Sequence, residues 1–338
     1  MTGSSGTFSR ARRATALSAD GPSIDGRLDE KAWTGARPAS GFVQFRPDPG
    51  EPASEPTDVR IVYTPEAIYV GARLHDSRPE AIIEQLARRD ERTVADAFRI
   101  GIDSYFDRRT AFVFEVNASG VQRDWLQYDD TRRDDGWDAV WESATRSDPG
   151  GWIVEMRIPL SQLRFETPEG AEEAVTWGVN FQRDIARLDE TSTWAPRPAD
   201  GSRDVSAFGT LTGLSGLEPG SSLELRPYLV TRATRAPGDA ANPFYRATDL
   251  GSTIGGDLRY GLSSNLTLNA TINPDFGQVE ADPASVNLSA FETFFSEKRP
   301  FFQEGSDIFR FGLGGGGRGG EQLFYSRRIG RSPQGRGP

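Results

Sequence analysis

DVRIVYTPEAIYVGARL, residues 58–74, holds two runs of β-forming residues, 58–63 and 67–74, separated by the turn-prone Thr64-Pro65-Glu66. Similar short runs recur at 97–103 (AFRIGID), 110–117 (TAFVFEVN), 138–146, 151–158 (GWIVEMRI) and 175–183 (VTWGVNFQR). Gly, Pro and Asp break the chain between them at intervals of roughly 8–20 residues, a spacing that predicts an antiparallel β-sandwich. One stretch, 79–89 (PEAIIEQLARR), carries a helical pattern with Pro79 near its start. Shorter helical pieces are expected at 28–34 and 160–164.

Composition marks a linker at 214–221, around SGLEPGSS (215–222). Beyond it the alternation becomes strict. Leu266, Leu268, Ala270 and Ile272 alternate with Thr267, Asn269, Thr271 and Asn273. Upstream, Ile254, Leu258, Tyr260 and Leu262 lead into a tight turn at Ser263-Ser264-Asn265. A neutral polar face opposite an apolar one fits strands of a transmembrane β-barrel, one face to lipid and one to the lumen. Such a face also fits a solvated hairpin. Residues 222–234 make a third strand of this type, and 321–329 (EQLFYSRRI) the expected start of a fourth. A barrel needs about eight strands, so a barrel reading makes this chain the opening part of a longer one.

Residues 273–309 are set apart by their rings: eight of the 20 Phe lie between Phe276 and Phe311. Phe294-Phe295 and Phe301-Phe302 are adjacent pairs, which neither a helical nor a strand period produces. An ordered loop or a set of short turns is expected there, with Asp275, Glu280 and Asp282 capping turns and pairing with Lys298 and Arg299.

With 338 residues the chain has room for two domains. The net charge of −10 disfavours nucleic acid as a partner, because phosphate contacts need a basic face. No Cys is present, which removes disulfides, zinc–thiolate sites and thiol catalysis. The first 19 residues lack an apolar core for a signal peptide and read as a disordered leader.

Ile24-Asp25-Gly26-Arg27-Leu28-Asp29-Glu30 followed by Trp33 resembles the opening motif of family 9 carbohydrate-binding modules. Tyr69-Val70-Gly71, Gly151-Trp152 through Glu155, Ile158-Pro159, and Trp177-Gly178-Val179-Asn180-Phe181 with Arg183 are similar to its later strands. The second half, above all Asn273 to Phe309, resembles the start of a bacterial outer-membrane β-barrel family of unassigned function. The resemblances imply a sandwich over 20–213 and the first strands of an incomplete transmembrane barrel over 222–338. They also imply a glycan or polysaccharide partner, a bacterial outer-membrane location with the sandwich periplasmic or surface-exposed, and a structural calcium ion.

Sugar recognition needs flat rings for stacking and planar hydrogen-bonding groups for hydroxyls. Trp125, Trp137 and Trp194 lie in polar, turn-rich surroundings and are the stacking candidates; Trp33, Trp141, Trp152 and Trp177 have apolar neighbours and read as core. Asn180, Gln182 and Arg183 are candidate donors, although a plain salt bridge serves Arg183 equally well. Asp96, Asp103 and Asp107 are candidate calcium ligands, with no EF-hand spacing among the acids. No cofactor is required by any motif. Catalysis has little support: His75 is the single His, and no G-x-S-x-G elbow occurs. The leading expectation is therefore non-catalytic glycan binding, in the service of polysaccharide capture or uptake. The competitors are hydrolysis of O-glycosyl bonds and a plug or gate domain without sugar affinity.

Overall fold

The computed structural model describes residues 12–166, 174–218, 223–235, 248–263, 266–274, 297, 299–303, 312–313, 321–322 and 326–329. Two compact units result, the first reaching residue 221 with 263–266 added, the second made of 222–262 and 267–338.

Nine strands form one sheet of the first unit. Its main order is β1 (Arg13–Thr15), β14 (Gly209–Leu214), β12 (Val175–Ile185), β6 (Ala97–Asp103), β7 (Ala111–Asn117), β8 (Gln122–Tyr128) and β9 (Arg132–Asp134). Two more, β13 (Glu190–Thr193) and β3 (Val43–Arg46), extend from β12 off that path. A second sheet runs β10 (Glu142–Asp148), β11 (Gly151–Pro159), β5 (Ala67–His75), β4 (Thr57–Tyr63) and β2 (Leu17–Ser18). Alternation decides which residues meet between the sheets. Phe98, Ile100, Ile102, Phe112, Phe114, Trp177, Val179 and Phe181 from the first sheet join Val70, Ala72, Leu74, Trp152, Val154 and Met156 from the second in one core. The β-sandwich expectation holds.

The opening motif has a physical purpose. Backbone N–H groups of Asp25, Gly26 and Arg27 donate to Glu155 Oε2 at 2.9, 2.6 and 3.1 Å, and Trp33 Nε1 donates to Oε1 at 2.9 Å. Trp33 lies on the short helix α1 (Lys31–Gly35), where it packs with Val62, Ala67 and Tyr69 on the outer side of the second sheet. A buried carboxylate surrounded by four N–H donors fixes the loop and the helix to β11 at once.

Three expectations fail in this unit. The leader at 1–19 is not disordered over 13–18: β1 pairs in parallel with β14 and β2 with β4, and Ala14 and Ala16 are buried. Residues 1–11 lie outside the described ones. Part of the supposed linker at 214–221 is packed down, because Leu214 and Leu217 enter the core and Glu218 N–H donates to Pro65 O at 2.8 Å. The helix at 79–89 shrinks to a single 3₁₀ turn, Pro79–Ala81. Tertiary bonds outbid its helical ladder: Ile83 N–H goes to Asp96, the Gln85 carbonyl accepts from Asn117 Nδ2, and Arg89 reaches Asp124 and the Ala139 carbonyl. The other short pieces do turn, as α1 and as a 3₁₀ turn at Leu160–Gln162.

In the second unit β15 (Leu223–Arg235), β16 (Thr248–Ser263) and β17 (Leu266–Ile272) form an antiparallel sheet in that order. The sheet is open, and no closed barrel occurs among the described residues. Leu223, Leu225, Leu229, Leu250, Ile254, Leu262, Leu266, Leu268 and Ile272 are exposed along one face, between 46% and 76%. The opposite face is polar. There Thr271 donates to Asp257 at 2.7 Å, and Tyr228 lies over Gly255, where a Cβ would come within 2.4 Å of its ring. The expected fourth strand, 321–329, is not formed as such. Its described parts are β19 (Glu321–Gln322), paired with β18 (Gly312–Leu313), and a 3₁₀ turn at Ser326–Arg328. Arg299 holds that turn by donating to the carbonyls of Ser326 and Ile329 at 2.9 and 2.7 Å while pairing with Glu297. The expected pairing partners Asp275, Glu280 and Asp282 lie outside the described residues.

Candidate functional site

The outward face of the nine-stranded sheet is where polar chemistry collects. Inward positions of β6, β7 and β12 are apolar, so the alternate positions point out. Strand register lines these up in rows. One row reads Thr193–Gln182–Arg99–Glu115–Arg123 across β13, β12, β6, β7 and β8. The next reads Asn180–Gly101–Val113–Trp125, and a third brings Ala111 and Gln127 beside Arg133.

A small apolar island occupies the middle. Trp125 packs with Ala111, Val113, Val205 and Phe208. Gly101 makes room for it: a Cβ there would lie 2.6 Å from Cζ of Phe208. Around the island runs a linked ring of polar side chains. Trp125 Nε1 donates to Gln127 Oε1 at 3.2 Å, and Gln127 Nε2 to Asp204 Oδ2 at 3.1 Å. Asp204 pairs with Arg197 at 3.1 Å, and Arg197 Nη2 donates to Gln182 Oε1 at 3.2 Å. Gln182 Nε2 donates to Asp184, which lies 3.5 Å from Arg99. Arg99 then donates twice to Glu115 Oε2, at 2.8 and 2.5 Å, and Arg123 Nη1 to Glu115 Oε1 at 2.5 Å.

Electrostatics follow from this linkage. Burial pushes the Glu115 carboxyl up, yet Arg99 and Arg123 overcome it and hold the group below its ordinary range. Trp125 is covered by cations, with the guanidinium carbon of Arg133 3.6 Å from the ring centroid and those of Arg99 and Arg123 at 4.9 and 5.5 Å. Burial, with the like charges of Arg123 and Arg92 nearby, takes Arg133 down to about 10 despite Asp135. Trp125 is therefore only 2% exposed, and what this side of the sheet presents is the linked set of planar donors and acceptors around it, the kind of groups that a polyhydroxyl ligand requires.

Of the sequence candidates, Trp125, Gln182 and Asn180 lie on this side of the sheet, Trp125 itself only 2% exposed beneath Arg133; the others do not. Trp137 is 2% exposed, wedged in the core with Phe112 and Phe114 at 5.2 and 5.7 Å. Trp194 is equally buried, 5.4 Å from Phe181. The Asn180 amide is spent on backbone, donating to Ala195 O and accepting from Ala195 and Phe181 N–H. Arg183 points into the sandwich with no exposure and donates to Pro56 O and Thr57, beside Asp76. Trp33, Trp141, Trp152 and Trp177 are buried, as expected of core residues.

The calcium candidates do not converge. Asp96 and Asp103 stand at opposite ends of β6, roughly 20 Å apart at about 3.3 Å per residue. Asp96 accepts from Ile83 and Ala186 N–H, Asp103 from Asp107 and Arg108, and Asp107 from Arg109 and Thr110. Each carboxylate is a loop anchor. Among the described residues Asp25, Glu30 and Glu155 bring carboxylate oxygens within 4.8 Å of one another. Both Glu155 oxygens already face N–H donors, a setting that suits an anchored anion and not a metal ligand.

Arg99, Glu115, Arg123, Arg133, Asp184, Arg197 and Asp204 escaped sequence reasoning. A signal existed: Arg99 in AFRIGID, Glu115 in AFVFEVN, and Arg123, Trp125 and Gln127 in successive outward positions of one strand. Matching the registers of those three strands would have shown the ring's core.

Comparison with known proteins matches residues 24–215 to the carbohydrate family 9 binding domain-like family, and residues 219–338 to a domain of unknown function (DUF5916). Among solved structures, the chain is similar to a family 9 carbohydrate-binding module from Caldicellulosiruptor kristjanssonii. In complex with cellotriose that module gives a TM-score of 0.43 at 19% identity, covering 60% of this chain and 95% of the module. In complex with glucose it gives 0.44 at 19% identity, covering 60% and 96%. No curated protein matches.

Proposed function

The chain belongs to the carbohydrate family 9 binding domain-like family, and from that premise we propose that the outward face of its nine-stranded sheet binds glycan without catalysing a reaction. The observation that carries this reading is the linked arc of planar polar side chains around Trp125. The partly exposed Gln182, Arg99, Asp184 and Asp204 can exchange their mutual contacts for sugar hydroxyls, while the buried Trp125 island holds the strands that carry them. Glu115 lies between two guanidiniums and holds them in place, a positioning role.

The test is a glycan array probed with the full chain and with Gln182→Ala, its fold checked by circular dichroism. Loss of the signal in the variant supports the reading. Undiminished binding would remove this face from the function, and a chain that binds no glycan would favour a plug or gate role.

A second observation bears on location. The exposed apolar face of β15–β17, opposite a face of Thr, Asn, Tyr and Asp, supports reading the second unit as the opening of an outer-membrane β-barrel. The sandwich would then act at the bacterial envelope, in polysaccharide capture or uptake. Fractionation of producing cells tests it: recovery with the outer membrane supports the reading, and recovery in a soluble fraction overturns it.

A further inference from the structure

The rings that solvent reaches on this side of the sandwich are not at its centre. Trp125 is covered, whereas Tyr105 and Phe106, in the turn between β6 and β7, are 36% and 38% exposed. That turn is firmly held. Asp103, fully buried at the end of β6, accepts from the N–H groups of Asp107 and Arg108 at 3.1 and 3.0 Å, and Asp107 from those of Arg109 and Thr110, each at 2.7 Å. Ser104 Oγ donates to the Arg164 carbonyl at 2.6 Å. Phe106 and Arg108 both lie in the left-handed region, at φ 54° and 61°. For a bulky side chain that conformation costs free energy that glycine would not lose, and partial burial of the ring returns little of it. The turn also leans over the outward side of the sheet. Asp103 shares that side with Arg99 and Gly101, and Arg108 Nη1 donates to the carbonyl of Phe208, whose ring covers Gly101. Arg99 and Asp103 stand about 13 Å apart along β6, so the polar arc at Gln182 and Arg99 continues past the half-buried Phe208 to the Phe106 ring, which carries the Arg108 guanidinium at 4.1 Å.

We infer that the Tyr105–Phe106 turn is a second contact for the glycan, a stacking subsite that takes a further unit of a neutral chain whose other units lie on the arc at Gln182 and Arg99. The inference rests on the proposed glycan site and specifies its ligand as an oligosaccharide, because a single sugar cannot bridge the two places. Half-exposed rings accept the C–H face of a pyranose. The charges around them cancel, with Arg164 and Arg108 set against Asp107 and Glu166, which favours hydroxyls over an acidic group. The strained backbone at Phe106 then has a use: it presents the ring to a ligand at a cost in stability.

The experiment measures, by calorimetry, binding of the full chain to neutral oligosaccharides of two and of six units from the malto, cello, xylo and manno series. Tyr105→Ala, Phe106→Gly and Phe106→Trp are measured alongside, each with a thermal melt. The native chain is expected to bind the hexamers of one series roughly tenfold or more tighter than its dimers. Phe106→Gly should weaken hexamer binding about three- to tenfold, the scale of one ring contact, and leave dimer binding within a factor of about two. Its melting temperature should stay within about 4 °C of the native value, since a half-exposed ring is lost and a strained backbone relieved. Tyr105→Ala acts in the same direction, and Phe106→Trp restores hexamer binding. Hexamers bound no tighter than dimers, or hexamer binding indifferent to residues 105 and 106, would overturn the inference and leave the glycan site standing. So would a Phe106→Gly variant that lost dimer and hexamer binding together or melted well below the native chain, because its ring would then be structural. Array binding confined to acidic glycans would also overturn it. A chain that bound none of these oligomers, and no glycan on an array, would bring down the site and the inference together.

Discussion

The nine-stranded sheet of the sandwich and the three-stranded sheet of the second unit are written in the same alternating code, yet they end in opposite states. In β6, β7 and β12 the apolar half of the code is buried between sheets, and the polar half is linked by hydrogen bonds and ion pairs. In β15, β16 and β17 the apolar half stands exposed and the polar half is joined by bonds such as Thr271 to Asp257. Alternation specifies two faces; only a second layer decides which becomes core. Nine exposed Leu and Ile on one face of a sheet exceed what scattered surface residues explain.

The largest effect that separates the two sheets is truncation of a covered ring. Phe114→Ala should cost about 3–5 kcal/mol, because it empties a site packed between Trp137 and Trp141. Urea unfolding of the sandwich measures it. Ile254→Ala, at 72% exposure, should change stability in water by no more than about 0.5 kcal/mol. Equal losses would break the contrast.

Next comes charge on the uncovered face. Leu268→Arg should cost about 2–4 kcal/mol where that face lies deep in hydrocarbon, and close to nothing in the sandwich's own unfolding transition. Insertion of the full chain into phospholipid vesicles before and after the substitution reads the first number. Insertion untouched by the arginine would remove lipid as the cover.

Smaller still is the pH response of the finished sheet. Burial raises Asp103 and Asp124 to about 6, above their unfolded value of 3.8. A raised carboxyl favours folding at low pH and loses that contribution as pH climbs through the folded value. The sandwich should therefore gain stability between about pH 6 and 4, by on the order of 1–3 kcal/mol per group at most. Asp148, lowered to about 2 mainly by its hydrogen bonds from Arg73, acts in the opposite sense and withdraws its contribution as pH falls from about 4 to 2. Thermal melting across this range should show a maximum near pH 4–5, and Asp103→Asn should flatten its alkaline side.

What the sequence disclosed followed local rules. The strands, the family 9 likeness and the apolar face of 266–272 all depend on residue order within a few positions. The errors came from long-range partners. Trp137 has polar neighbours in DDGWDAV, but Phe112 and Phe114 of another strand bury it. Residues 79–89 have helical spacing, but Asp96, Asn117 and Asp124 claim their backbone and side chains. The ring around Trp125 was invisible for the same reason, since its members come from six strands and loops and are neighbours only through register.

The most direct measurement follows the indole N–H resonances of the seven Trp residues in the full chain during titration with a bound glycan. A shift confined to Trp125, with Trp137 and Trp194 still, is the result predicted by a ring face on the nine-stranded sheet. Movement of Trp137 or Trp194 while Trp125 stays fixed would contradict it.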